Sequence, residues 1–328
     1  MRAIVITKPG DPSVLQLQDI AEPEPAADHI LVRVHATALN RADVLQRMGR
    51  YPPPQGVRPD VPGLEFAGEV EAIGEKVEEA KVGDRVMGLL PGEGYAEKIV
   101  TPERMVLPIP DNLTHEEAAA IPEVFLTAYD ALFAQLDLRF GERLLIHAVG
   151  SGVGTAALQL AKTAGATVFG TAGSDDKLQR AAELGLDVAI NYKTQDFQEI
   201  ILKETQGQGV HGILDVVGAS YWEKNLTCLT TKGRMVLVGL LSGANTGANL
   251  AQVLTKRLRI IGTVLRARAF EEKIALTQTF KECALPSLAS GKIKPVIDRT
   301  FSLEQAAEAH VYMEANKNFG KIVLQVRE

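Results

Sequence analysis

Cysteine is nearly absent from this chain: Cys228 and Cys283 are the only two in 328 residues. Two thiols make neither a disulfide framework nor a four-cysteine zinc lobe, so a reducing compartment is expected. A basic surplus is also missing. Lys and Arg number 35 against 41 Asp and Glu, a formal net charge of -6, which argues against a dedicated nucleic-acid surface while leaving a local patch open. No stretch reaches the ~18 uncharged apolar residues of a membrane-spanning helix. The opening "MRAIVITKPG" reads as a strand entering a Pro-Gly turn, without the apolar core of a leader, so the expected location is cytosolic. Internal repeats and low-complexity linkers are lacking, and the cluster "YPPP" at 51–54 is too short for one. What remains is a globular composition, 46% hydrophobic and 23% charged, in a chain longer than one core usually organises. Two domains follow as the expectation.

The rhythm of the elements changes along the chain. Up to about Ile121, short β-rich runs ("AIVIT", "HILVRVHATAL", "GLEFAGEVEAIG", "DRVMGLL", "YAEKIV") are separated by Pro, Gly and Asp, the pattern of a mostly antiparallel domain. From Pro122 to about Gly262, apolar strands ("RLLIHAV", "TVFGTAG", "DVAINY", "GILDVV", "RMVLVGL", "RIIGTVL") alternate with helix-length segments, which implies βα units on a parallel sheet. The remaining helices and strands leave that rhythm and are expected to return to the first domain. The fold class is therefore α/β, with a discontinuous domain over 1–121 and 263–328 around an inserted one over 122–262.

The stretch "LLIHAVGSGVGTAAL" places Gly150, Gly152 and Gly154 after an apolar strand and before a helix-forming run. Small residues there let backbone N–H groups and a positive helix end approach a pyrophosphate. Thr155 breaks the G-x-G-x-x-G spacing, so the same residues also read as a plain tight turn. About 20 residues on, where an NAD site carries an acidic group for the ribose, the chain has "TAGSDDKL". Gly173 and Ser174 occupy the turn and Lys177 follows, offering hydroxyl and cation to a 2′-phosphate and so favouring NADPH. Ser174 as a helix cap above a solvated Lys177 is compatible with that role. Tyr192, in "NYK" at the end of the next strand, can reach the same phosphate or an adenine, or is an ordinary strand-end aromatic.

With these residues placed, the chain resembles the zinc-independent quinone oxidoreductases of the medium-chain dehydrogenase/reductase superfamily, nearly end to end. The carriers are "ALNRADVLQRMGRYPPP", "PGLEFAGEV", "GDRVMGLLPGEGYAE", "AAAIPEVFLTAYDAL", "IHAVGSGVGTAALQLAK", "SYWEKN" and "YMEANKNFGKIVL". "SGVGTAA", "TAGS" and "SYWEKN" look most like the branch typified by the tumour-suppressor-inducible quinone oxidoreductase. The resemblance implies a GroES-like catalytic domain from both chain ends, a Rossmann domain between them, and NADPH as cofactor. Zinc-dependent relatives have a cysteine where this chain has Asn40 and a histidine where it has Leu64. Glu65 alone remains of that set, so no catalytic metal is expected. The six histidines lack helical ligand spacing and read as solvated or packed.

The resemblance also implies roles for single residues. Asn40, Tyr51 and Thr127 would surround the nicotinamide and acceptor, with the Tyr51 phenol orienting or protonating a quinone oxygen. A turn-forming Asn, a packed loop aromatic and a back-bonded helical Thr are the plainer alternatives. Ser151, Gly152, Val153 and Gly154 would hold the pyrophosphate, and Val238, Gly239 and Leu265 would line the nicotinamide pocket. Relatives often offer an arginine to the 2′-phosphate where this chain has Asn316, which shifts that task to Lys177. The leading reading is a cytosolic NADPH:quinone oxidoreductase acting on a small molecule. Alternatives are an NADPH-dependent reductase of enones or enoyl thioesters and a non-enzymatic, crystallin-like or RNA-binding NADPH protein. The apolar edge strand "RLRIIGTVL" would aggregate if bare, so a homodimer through it is expected.

Overall fold

The computed structural model describes residues 1–248 and 250–327. It divides into two compact units, Met1–Leu126 with Leu265–Glu328, and Thr127–Val264. In chain order come β1 (Arg2–Ile6), β2 (Leu15–Asp19), β3 (His29–Ala38), α1 (Arg41–Arg47), β4 (Glu65–Ile73), β5 (Arg85–Leu89), β6 (Lys98–Pro102), β7 (Val106–Pro108), α2 (His115–Ala119) and α3 (Pro122–Tyr129). They are followed by β8 (Arg143–Ile146), α4 (Gly152–Thr163), β9 (Thr167–Ala172), α5 (Asp175–Glu183), β10 (Val188–Asn191), α6 (Phe197–Glu204), β11 (Val210–Asp215), α7 (Trp222–Cys228), β12 (Leu229–Leu237), α8 (Leu250–Lys256) and β13 (Arg259–Gly262). The return is α9 (Phe270–Cys283), α10 (Leu285–Ala289), β14 (Ile297–Ser302), α11 (Ala306–Glu314) and β15 (Lys321–Gln325).

In the first unit β3 is the hub, pairing antiparallel with β4, β6 and β15 in a sheet ordered β14-β15-β3-β4-β5-β7. Ile30, Val32 and Val34 point into a core with Phe66, Tyr95, Ile322 and Leu324, while Arg33 and His35 on the opposite face stay partly exposed. This period of two fixes the register, because a slip of one residue would turn the apolar set outward. At His35 the ladder does slip: Val34 faces Gly68 and Ala36 faces Ala67, so His35 is the extra residue of a bulge. The antiparallel expectation has one exception. β14 and β15 are parallel, since the segment joining them contains the crossover helix α11.

The second unit is a parallel sheet in the order β10-β9-β8-β11-β12-β13. The order reverses between β8 and β11, the doubly wound pattern whose ligand crevice lies beyond the carboxyl ends of those strands. Strands buried on both faces read as continuous apolar runs, as Leu144, Leu145 and Ile146 do, all fully buried. One departure from regular helix occurs at Asp130–Gln135, which winds as a π-helical turn with the Leu136 N–H donating to the Ala131 carbonyl. The Asp130 carboxylate there accepts from Thr263 Oγ1 (2.8 Å) and Gln135 Nε2 (3.0 Å), side-chain bonds that anchor the widened turn.

Candidate functional site

Within the second unit, the turn after β8 is built for close approach. Ala148 takes a left-handed φ of 51°, and a Cβ on Gly154 would stand 2.4 Å from the Ala148 carbonyl oxygen, so only glycine fits there. Ser151 is the N-cap of α4, its Oγ accepting from the Gly154 N–H at 3.0 Å. That bond uses a lone pair and leaves the hydroxyl proton to donate. Gly152 and Val153 begin the helix, where backbone N–H groups have no intrahelical acceptor and the positive end of the helix dipole favours an anion.

The second turn gathers four of the sequence-predicted residues. Ser174 caps α5, accepting from the Lys177 N–H at 3.4 Å. A Cβ on Gly173 would lie 2.5 Å from the Tyr192 hydroxyl, so the phenol packs directly over that glycine. Asp175, which with Asp176 opens α5, accepts from Asn191 Nδ2 at 2.7 Å and is thereby tied to the end of β10. Val238 and Gly239 follow β12 beside the end of β11: the Val238 N–H donates to the Asp215 carbonyl at 2.8 Å, and Gly239 packs on Val216. Thr127 lies in α3, 7% exposed.

A buried polar chain beneath these turns escaped the sequence reading. His147 Nδ1 meets Thr171 Oγ1 (3.0 Å) and Nε2 meets Asn225 Oδ1 (2.8 Å), while Asn225 Nδ2 donates to Asp215 Oδ2 (3.1 Å). Asp215 Oδ1 in turn accepts from the N–H groups of Val217 and Gly218. Since Asn225 donates to a carboxylate, its Oδ1 is an acceptor and His147 carries its proton on Nε2. Burial, opposed by Asp215 and Asn225, holds this imidazole below its ordinary value and so neutral. The chain ties the ends of β8, β9 and β11 to α7.

In the first unit, Asn40 sits in a buried polar network. Lys321 Nζ donates to the Leu39 carbonyl, Asn40 Oδ1 and Glu65 Oε1, each at 2.7 Å. Glu65 also accepts from Asn40 Nδ2 and from the Glu123 N–H, both at 2.8 Å. Asp43 accepts from the Asn40 N–H (2.8 Å), the Gly63 N–H and the Tyr95 hydroxyl; burial pushes its carboxyl up to about 6 against those bonds. Glu123 opens α3, and burial together with the Glu65 charge pushes it up to about 8, so it is protonated at neutral pH. In the sequence Glu65 stands out only as the remainder of a zinc-ligand set and nothing singles out Glu123, Asp43 or Lys321, since Lys321 meets Glu65 across 256 residues.

Tyr51 belongs to a second group. The Arg266 guanidinium lies 5.1 Å from the centre of the Tyr51 ring and donates to the Tyr51 carbonyl (3.1 Å), the Pro91 carbonyl (2.8 Å) and Gln46 Oε1 (2.6 Å). Burial raises the phenol above its ordinary range, with Arg266 opposing and Glu123 adding to the rise, so it is a donor at neutral pH. Arg266 also lines a cavity of about 300 Å³ together with Glu123, Phe270, Lys273, Leu90 and Met105. Leu265 is buried. Asn316 has a left-handed φ of 53° after α11, and its Oδ1 accepts from Arg41 at 2.7 Å.

Comparison with known proteins gives these features a family. Residues 26–111 match the alcohol dehydrogenase GroES-like domain and residues 152–281 the zinc-binding dehydrogenase domain. A quinone oxidoreductase of Pseudomonas aeruginosa is 34% identical over 316 residues, 96% of each chain. Among solved structures, an NAD-dependent alcohol dehydrogenase superposes with a TM-score of 0.89 at 36% identity, covering 99% of this chain and 100% of that one. The Escherichia coli quinone oxidoreductase complexed with NADPH does so at 0.89 and 32%, covering 99% and 100%. CurK enoyl reductase gives 0.89 and 32%, covering 99% and 98%. The chain belongs to the quinone oxidoreductase family of the medium-chain dehydrogenase/reductase superfamily.

Proposed function

We propose that this protein is a cytosolic, zinc-independent NADPH:quinone oxidoreductase. The observation that carries the cofactor choice is the α5 turn, where Ser174 caps the helix, Lys177 follows in its first turn, the Tyr192 phenol packs over Gly173 and Asp175 is tied to Asn191. Ser151, Gly152, Val153 and Gly154 would take the pyrophosphate at the α4 terminus, and Val238, Gly239 and Leu265 would border the nicotinamide. With Asn316 where relatives often have an arginine, the 2′-phosphate would rest mainly on Lys177. When bound, NADPH supplies the hydride.

The chain's own part is orientation and proton supply. Tyr51, held beneath Arg266 and kept protonated, would donate a hydrogen bond to the acceptor oxygen as negative charge grows there. Asn40 would be fixed by Lys321 and Glu65, and Thr127 would bond the cofactor from α3. Zinc does not fit the Glu65 position, because the Lys321 ammonium already lies 2.7 Å from its carboxylate and Asn40 and Leu64 offer no imidazole or thiolate. Among the described residues no helix is long and apolar enough to cross a membrane.

The likeness to CurK enoyl reductase supports a second reading, reduction of an enone or enoyl thioester by the same hydride geometry. Steady-state NADPH oxidation with ortho-quinones, para-quinones, enones and enoyl thioesters tests both. Fastest turnover on a quinone supports the first; NADPH binding with no acceptor reduced would leave a non-enzymatic NADPH protein.

A further inference from the structure

Among the described residues, one set of His and carboxylate groups is placed to hold a metal ion: His35, Glu69 and His115, whose ligand atoms all lie within 4.8 Å of one another. We propose that these three residues form a site for a late divalent transition-metal ion of the zinc class, distinct from the position of the catalytic zinc in related dehydrogenases. Glu65, at that other position, is occupied by Lys321.

The site is assembled by three elements of the first unit. The bulge in β3 presents His35, whose carbonyl is held by the N–H groups of Val326 and Arg327. Glu69 comes from β4. His115 is the first residue of α2, set by a capping box in which Thr114 Oγ1 accepts from the Glu117 N–H and Glu117 Oε2 accepts from the Thr114 N–H. The two imidazoles stack 4.2 Å apart, 13° from parallel. Both Nε2 atoms are buried and have no hydrogen-bond partner, an arrangement that costs free energy unless a ligand meets them.

The chemistry fits a borderline ion. Two imidazole nitrogens and one carboxylate, with a position left for water, suit zinc or nickel, whereas calcium and magnesium require mainly oxygen ligands. His35 Nε2 already lies 3.8 Å from Glu69 Oε2, against about 3.4 Å between ligands of a tetrahedral zinc with ~2.1 Å bonds. One imidazole must turn so that the two lone pairs converge, and the Glu69 side chain, 39% exposed, has room to follow. Glu116 adds negative charge to the neighbourhood. The nearby cations are engaged elsewhere: Arg33 with Glu71, Arg327 with Glu97 and Arg85 with the Leu113 carbonyl. An ion here clamps α2 onto β3 and β4 and raises stability by binding only the folded state.

The test is titration of the chelator-treated full chain with ZnCl2, and separately with NiCl2, read by calorimetry and by thermal unfolding. The expected result is one saturable zinc per chain with a rising Tm, and a dissociation constant weakened by at least about tenfold in both His115→Gln and Glu69→Gln, since even second-layer partners are worth about 10–100-fold. Glu69→Gln is the control for folding, because its side chain is 39% exposed and far-UV dichroism should be unchanged. No saturable binding to the wild type, or equal affinity in both variants, overturns the proposal.

Discussion

The ammonium of Lys321 lies 2.7 Å from the Glu65 carboxylate, and the two side chains are 3% and 0% exposed. Two opposite charges have been taken out of water together, and each is further bonded: the lysine to Leu39 and Asn40, the carboxylate to Asn40 and the Glu123 N–H. Removing one partner leaves the other buried and uncompensated. Lys321→Met should therefore cost about 3–5 kcal/mol of unfolding free energy. The double variant Lys321→Met with Glu65→Gln should recover part of it. Urea denaturation checks both; a loss below about 1 kcal/mol in the single variant, the size of an ordinary substitution, would contradict the pairing.

Glu123 gives a pH signature. Its folded value of about 8 stands above the ordinary 4.5, so its contribution to stability is fully present below 4.5 and is lost as pH rises through about 8. Glu123→Gln has no proton to lose. Across that window the Tm of the variant should gain on that of the wild type as pH rises; a constant difference would show that Glu123 titrates normally.

Lys177→Ala tests the cofactor assignment. A charge-assisted bond to the 2′-phosphate is worth about 1.5–3 kcal/mol, so the KM for NADPH should rise by about one to two orders of magnitude while NADH use hardly changes. Equal losses for both cofactors would remove Lys177 from the phosphate site.

The edge of the second unit bears on assembly. β13 pairs only with β12 among the described strands, and Leu241, Leu254 and Val264 are 63%, 78% and 56% exposed. A homodimer extending the sheet through β13 would cover a bare strand edge. Light scattering at micromolar concentration should give the mass of two chains; a monomer would refute this.

The sequence was most legible where burial is uniform. All six strands of the parallel sheet stand in apolar runs, and the glycine-rich turn before α4 announced itself. The bulge at His35 did not, because a register slip depends on the partner strand. Nor did the Glu65–Lys321 pair, whose members are 256 residues apart, or the bond from Arg41 at the start of α1 to Asn316. Stacking of His35 on His115 is likewise a product of tertiary packing that helical spacing cannot reveal.

Tyr51→Phe should lower quinone turnover and leave NADPH affinity unchanged by fluorescence titration. One oriented neutral hydrogen bond is worth about 0.5–1.5 kcal/mol, and more where charge develops on the acceptor. Tyr51→Ala should be worse, since Arg266 also loses the ring it stacks on. Unchanged turnover in Tyr51→Phe would reduce the phenol to packing.

The most direct test of the central claim is a competition. Enzyme loaded with stoichiometric NADPH is offered an ortho-quinone and an enoyl thioester together in one anaerobic turnover, and the products are quantified. The account predicts that the hydroquinone dominates and that Tyr51→Phe slows its formation. Preferential saturation of the thioester, or oxidation of no NADPH at all, would contradict it.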